Sequence, residues 1–168
     1  MAGAEALLER FPTHDSTRDG KCAATLSRFG AGAVAAVYGP IGTVFATTHA
    51  AAVRQAARRL VERLFTPILS LEAPPTVETA LRRKGDKLLV HLLNSTAMQV
   101  AGEYVNTDFI PPVGPLRVSL RLKNRPRRAT FEPEGRALAG VWKDGVWSAV
   151  IDRLEIHGLL ALEGAGPA

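Results

Sequence analysis

The sequence predicts an α+β chain, a small β-β-α remnant of an α/β sheet followed by an antiparallel β-sandwich. Three observations carry this. Two short apolar runs are parted by the glycine-rich reversal Gly30-Ala31-Gly32, and a stretch of helical periodicity follows from His49 to Phe65. After Pro67 the pattern changes to short strands punctuated by turns, with no helix between them.

With 168 residues the chain fits one ordinary domain or two small ones. The change at Pro67 divides it into a partial α/β segment over 1–66, a sandwich over 67–163, and a tail over 164–168 that is expected to be disordered. In the first segment, Met1 to Glu9 reads as one or two helical turns that Phe11-Pro12 ends, and Thr13 to Lys21 reads as loop. Ala23 to Phe29 and Ala33 to Tyr38 read as strands. The second carries no charge and is expected to be covered on both faces. Gly39-Pro40-Ile41-Gly42 turns the chain tightly, in a spacing that fits neither a Walker loop nor a dinucleotide fingerprint. Thr47 or Thr48 suits the N-cap of the helix, whose stripe is Val53, Ala56, Ala57, Leu60, Val61 and Leu64. So small a unit makes a poor independent fold. Its sheet edge and apolar face are expected to lie open and to favour self-association.

Beyond Pro67, Ile68 to Ala73 reads as a strand, and Thr76 to Arg83 with Lys87 to Asn94 as a hairpin about Gly85-Asp86, which sets Lys84 opposite Lys87 and Leu81 opposite Val90. Both faces of the second arm are largely apolar, as in an inner strand. Leu116, Val118, Leu120 and Leu122 alternate with polar residues, giving one buried and one wet face. Arg127 to Glu132, Ala137 to Lys143, Val146 to Ile151 and Ile156 to Leu162 complete the series.

Composition narrows the function. The single cysteine, Cys22, excludes an internal disulfide and a multi-thiolate zinc site. The net charge of +5 comes from basic residues mixed with acids among few aromatics, which describes a solvated surface and no nucleic-acid partner. The apolar run Ala31 to Val53 is broken by Gly39, Pro40, Gly42 and His49, so no membrane span is expected. MAGAEALLERF has acids where an export signal is basic, which leaves a cytoplasmic location as the default expectation. No catalytic, cofactor-binding or metal-ligating set stands out.

Several residues nevertheless merit attention. A two-residue turn at Asp144-Gly145 sets Trp142 opposite Trp147. The paired indoles are either a platform for a sugar ring or a cross-strand pair covering the core beside Leu138, Ala149 and Ile151. The segment Ser95 to Pro115, with Gln99, Tyr104, Asn106 and Asp108, is either a functional loop or a crossover strapped by prolines. His91 and His157 are each expected as buried, hydrogen-bonded imidazoles, and His49 as a surface or capping residue. Glu78, Glu103, Asp108, Glu132 and Asp152 do not resolve into a glycosidase pair, and Cys22 with His49 lacks a nucleophile elbow.

The run GKCAATLSRFGAGAVAAVYGPIGTVFATTHAAAVRQAARRLVERLF, then PPTVETALRRKGDKLLVHLLNST, FIPPVGPLRVSLRL, PRRATFEPEG and LEIHGLLALE, resembles the C-terminal part of large bacterial glycoside-hydrolase-like proteins, the β-galactosidase-like group. In that family a TIM-barrel catalytic domain precedes an amidotransferase-like trimerisation domain and a C-terminal β-sandwich. The resemblance implies that 1–66 is the end of the trimerisation domain and that the catalytic barrel lies outside these residues. It implies a non-catalytic accessory and oligomerisation module in carbohydrate metabolism, self-associating or packing on a glycosidase barrel, with no cofactor. The alternative is a carbohydrate-binding module that uses Trp142, Trp147, Tyr104, Asn106 and Asp108.

Overall fold

The computed structural model describes residues 3–13, 17, 19–96, 99–101, 104–106 and 109–166, without the side chains of 99–101 and 104–106. The fold class is α+β with a β-sandwich. The chain divides into two compact units, Met1–Thr66 and Pro67–Ala168.

The first unit is a three-stranded antiparallel sheet of β1 (Glu5–Arg10), β2 (Lys21–Phe29) and β3 (Gly32–Val37), in the order β1-β2-β3, followed by helices α1 (Ile41–Thr48) and α2 (Ala51–Leu64). The opening segment is a strand where the sequence suggests a helix. A helix of one or two turns is marginal in water, whereas β2 offers Glu5 to Arg10 a full antiparallel partner. The single predicted helix is two. His49 adopts a left-handed conformation (φ 49°) and closes α1, its N–H bonding the Phe45 carbonyl at 2.8 Å. Neither threonine caps α2, whose N-cap is Ala50. The Thr48 hydroxyl donates back to the Val44 carbonyl at 2.6 Å. The buried stripe of α2 is also narrower than predicted: Leu60 is buried, but Val61 and Leu64 are exposed.

Alternation places Ala24 and Leu26 of β2 on one face of the sheet and Thr25, Ser27 and Phe29 on the other. Ala24 is fully buried, and Arg63 of α2 reaches Glu5 of β1 at 2.6 Å, so the helix covers the first of these faces. The second face is open: Phe29, Val34 and Tyr38 are 80%, 56% and 48% exposed. β3 is therefore an edge strand with one covered face, where coverage on both was expected.

In the second unit two sheets pack as a sandwich. Its strands are β4 (Leu69–Glu72), β5 (Val77–Lys84), β6 (Lys87–Asn94), β7 (Gln99–Ala101), β8 (Tyr104–Asn106), β9 (Leu116–Arg121), β10 (Arg128–Glu132), β11 (Arg136–Ala137), β12 (Val141–Lys143), β13 (Val146–Ile151) and β14 (His157–Glu163). One sheet runs β11-β10-β14-β6-β5 and the other β12-β13-β9-β4, while β7 and β8 form a separate hairpin within the long loop. The inward residues of β6 and β14, Leu88, Val90, Leu92, Leu160 and Leu162, meet Leu116, Val118 and Leu120 of β9 and Trp147, Ala149 and Ile151 of β13. Each fully buried Leu, Val or Ile among them contributes about 1.5–3 kcal/mol. Both predicted hairpin registers are present, Lys84 opposite Lys87 and Trp142 opposite Trp147. Their turns carry the positive φ that the strand twist requires, at Gly85 and at Asp144 with Gly145.

Two expectations need correction. The stretch Ala137 to Lys143 is two strands in different sheets. Between them Gly140 passes over the Trp147 indole so closely that a Cβ there would lie 2.2 Å from it. The tail is ordered through Gly166: the Gly164 N–H bonds the Asp86 carbonyl at 3.0 Å, the Lys123 N–H bonds the Gly166 carbonyl at 2.9 Å, and Ala165 is buried. Residues 167 and 168 lie outside the described residues.

Candidate functional site

The tryptophan pair is assembled as its turn predicts, but it faces the core. Trp147 is 3% exposed and Trp142 is half-buried against the same cluster. The Trp147 indole offers no face to a sugar ring, because Gly140 occupies one side and the sandwich interior the other. The side chains of Tyr104 and Asn106, and all of Asp108 and Glu103, lie outside the described residues.

The end of the long loop is a strap whose anchor the sequence does not advertise. Asn94, the last residue of β6, is 1% exposed. Its Nδ2 donates to the carbonyls of Pro111 and Glu155, both at 2.9 Å, and its Oδ1 accepts from the Thr96 N–H at 3.1 Å. Val113 then bridges Leu154 through two backbone bonds, and Gly114 crosses so near Asp152 that a Cβ would meet its carbonyl oxygen at 2.1 Å. The proline-rich segment is thus held to the sandwich from both sides. The only sequence signal for Asn94 was a polar residue in phase with Leu88, Val90 and Leu92.

His91 and His157 come together, although 66 residues separate them. Neither is buried: His91 is half-exposed and His157 exposed. They project from the outer face of the five-stranded sheet, with His91 Nδ1 and His157 Nε2 3.1 Å apart, ring centroids 5.4 Å apart and planes 25° apart. One ring nitrogen donates and the other accepts. The pair depends on the register of β14 against β6, which sets His157 opposite Leu93 and Leu159 opposite His91.

The carboxylates are dispersed. Glu78 accepts from the Ser95 hydroxyl, Glu132 from the Thr130 hydroxyl, and Asp152 pairs with Arg136 at 3.4 Å. Glu78 on β5 and Glu132 on β10 stand three strand spacings apart, roughly 14 Å. Their backbones are therefore further apart than the separation of about 5–10 Å between the carboxyls of a glycosidase pair. Cys22 is exposed with its thiol against the Ala24 carbonyl, while His49 ends α1 with its ring edge-on to Phe45. Among the described residues, no group of three or more His, Cys, Asp or Glu is placed to hold a metal ion. Among the described residues no helix is long and apolar enough to cross a membrane.

The first unit contributes a cavity of about 390 Å³ between sheet and helices, lined mainly by Leu8, Val37, Tyr38, Ile41, Val44 and Val53. It holds no arrangement of acid, base and nucleophile. On the other face of the sheet, Phe29, Val34 and Tyr38 are exposed.

No protein-family model matches the sequence, and no curated protein matches it. Solved structures do. An α-L-fucosidase isoenzyme 2 from Paenibacillus thiaminolyticus superposes with a TM-score of 0.67 at 17% identity, over 92% of this chain and 24% of that one. A GH42 β-galactosidase from G. stearothermophilus aligns over 90% of this chain and 16% of its own at 17% identity, with a TM-score of only 0.41. The first likeness shows the fold: this chain is folded like a part of that fucosidase structure. The chain spans about a quarter of the fucosidase it matches.

Proposed function

We propose that this chain is a non-catalytic accessory and assembly module of a glycoside hydrolase, serving a catalytic barrel carried outside these 168 residues. The observation that carries the reading is the match to the fucosidase over 92% of this chain and 24% of the enzyme. The open face of the first unit supports the assembly role. Phe29, Val34 and Tyr38 are exposed beside an edge strand, GAVAAV, that has no charge or proline to block pairing. In this reading a second copy, or the barrel itself, covers that face. Terminal placement and trimerisation belong to the same proposal and rest on the sequence resemblance alone.

Two measurements test it. The purified chain should not turn over nitrophenyl glycosides; turnover abolished by replacing one particular Asp or Glu would overturn the non-catalytic reading. Light scattering after size exclusion should show self-association that Val34→Lys abolishes by placing a charge on the free edge. A clean monomer across the accessible concentration range would remove the self-association arm.

A further inference from the structure

From the His91–His157 pair we infer a second, independent feature of the sandwich: a surface site for a divalent transition-metal ion that takes imidazole ligands, such as Cu²⁺, Ni²⁺ or Zn²⁺. The separation of the two nitrogens fits this. Ligands about 2.0–2.1 Å from one ion at tetrahedral or square-planar angles lie roughly 2.9–3.4 Å from each other. His91 Nδ1 and His157 Nε2 are 3.1 Å apart. At present they meet nitrogen to nitrogen in a hydrogen bond. For an ion to bind, the donating imidazole takes its other neutral tautomer, its proton moving to the far ring nitrogen, and both rings swing about their χ angles so that two lone pairs aim at a common point above the sheet.

The backbone holds this pair rigidly. His91 sits in β6 between two ladders, paired with Ala80 of β5 and Leu159 of β14, and His157 opens β14 paired with Leu93 of β6, so strand pairing and not a free loop sets both Cα positions. The surroundings also favour a cation. Glu78, Leu93 and His157 form one cross-strand row, and Ala80, His91, Leu159 and Glu132 the next. Neither row contains a Lys or Arg, and each ends in a carboxylate. Half-buried Leu159 and partly exposed Leu93 flank the rings. With two protein ligands, water fills the remaining positions, so the site is open and its strongest ligand-field preference is for Cu²⁺. The bound ion clips β6 to β14 across the middle of the sheet.

The experiment is titration of the untagged, metal-free protein with Cu²⁺ by calorimetry, alongside the variants His91→Gln, His157→Gln and, as a control in the other unit, His49→Gln. One equivalent should bind to the wild type and to His49→Gln. Each pair variant should lose at least about tenfold in affinity, because the second imidazole acts at high effective concentration. Electron paramagnetic resonance of the wild-type complex should show two imidazole nitrogens on copper, and a chelator should reverse binding. Equal affinity in wild type and His157→Gln, or a spectrum with fewer than two imidazole nitrogens, would overturn the assignment. These outcomes do not depend on activity or on oligomeric state, so the metal site stands or falls apart from the accessory-module reading.

Discussion

Replacing Asn94 by alanine tests whether the strap is held by this side chain or merely lies where the prolines leave it. Asn94 is buried and makes three side-chain hydrogen bonds, two donated to the Pro111 and Glu155 carbonyls and one accepted from Thr96. A net loss of about 1 kcal/mol for each gives roughly 3 kcal/mol, with more if a carbonyl is left dry. For a unit of this size that lowers the midpoint of thermal unfolding by roughly 12–20 °C. Both tryptophans, Trp142 and Trp147, belong to the second unit, so their fluorescence reports its unfolding without interference from the first. The assay is urea unfolding followed at the tryptophan emission, with the slope compared to confirm an unchanged transition. Asn94→Asp separates the contributions: it keeps the acceptor for Thr96 but loses both donors and buries a charge, so it should cost at least as much as alanine. A loss below about 1 kcal/mol in both variants would show that the strap does not depend on Asn94.

Three further substitutions probe other parts of the sandwich. Gly114→Ala sets a methyl group against the Asp152 backbone and should destabilise the second unit by at least about 2 kcal/mol in the same assay; an unchanged midpoint would mean that the strap can lift away freely. Gly140→Ala should displace the Trp147 indole and shift its emission to the red in the folded protein, since the added Cβ would lie 2.2 Å from the ring; an unshifted spectrum would contradict that packing. Glu163→Gln removes the 2.8 Å ion pair with Lys87, whose hydrogen bond and positive charge lower the Glu163 pKa and whose own pKa is raised in turn by the hydrogen bond and charge of Glu163. A lowered carboxyl stabilises the fold above its unfolded pKa and loses that contribution as pH falls through the folded value. A raised ammonium stabilises below its unfolded pKa and loses it as pH rises through the folded one. The urea midpoint of the wild type should therefore exceed that of the variant near neutrality and converge with it in acid and in strong alkali. A gap that persists once Glu163 is protonated would point to packing instead of charge.

Short-range patterns in this chain translated into structure wherever one local rule was sufficient. The alternation of Leu116, Val118 and Leu120 with Arg117, Ser119 and Arg121 became the buried and wet faces of β9. The dipeptides Gly85-Asp86 and Asp144-Gly145 set both hairpin registers, because two-residue turns need positive φ and leave one way to pair the arms. Local rules failed where a distant partner decided. Glu5 to Arg10 is helical by weak preference and extended because β2 is available. Val61 and Leu64 belong to an apolar stripe and yet face solvent, because the sheet beneath α2 is only three strands wide.

The sequence by itself determined the α+β class and the registers of two sandwich hairpins, since these follow from hydrophobic period and from turn geometry. Only the tertiary structure decided what the side chains face. It turned Trp147 inward under Gly140, brought His91 against His157 across 66 residues, gave Asn94 three partners, and tied Gly164 to Gly166 into the sandwich. Each of these depends on which strands became neighbours and in what register. That is a property of the whole packed sheet, which no local window of residues encodes.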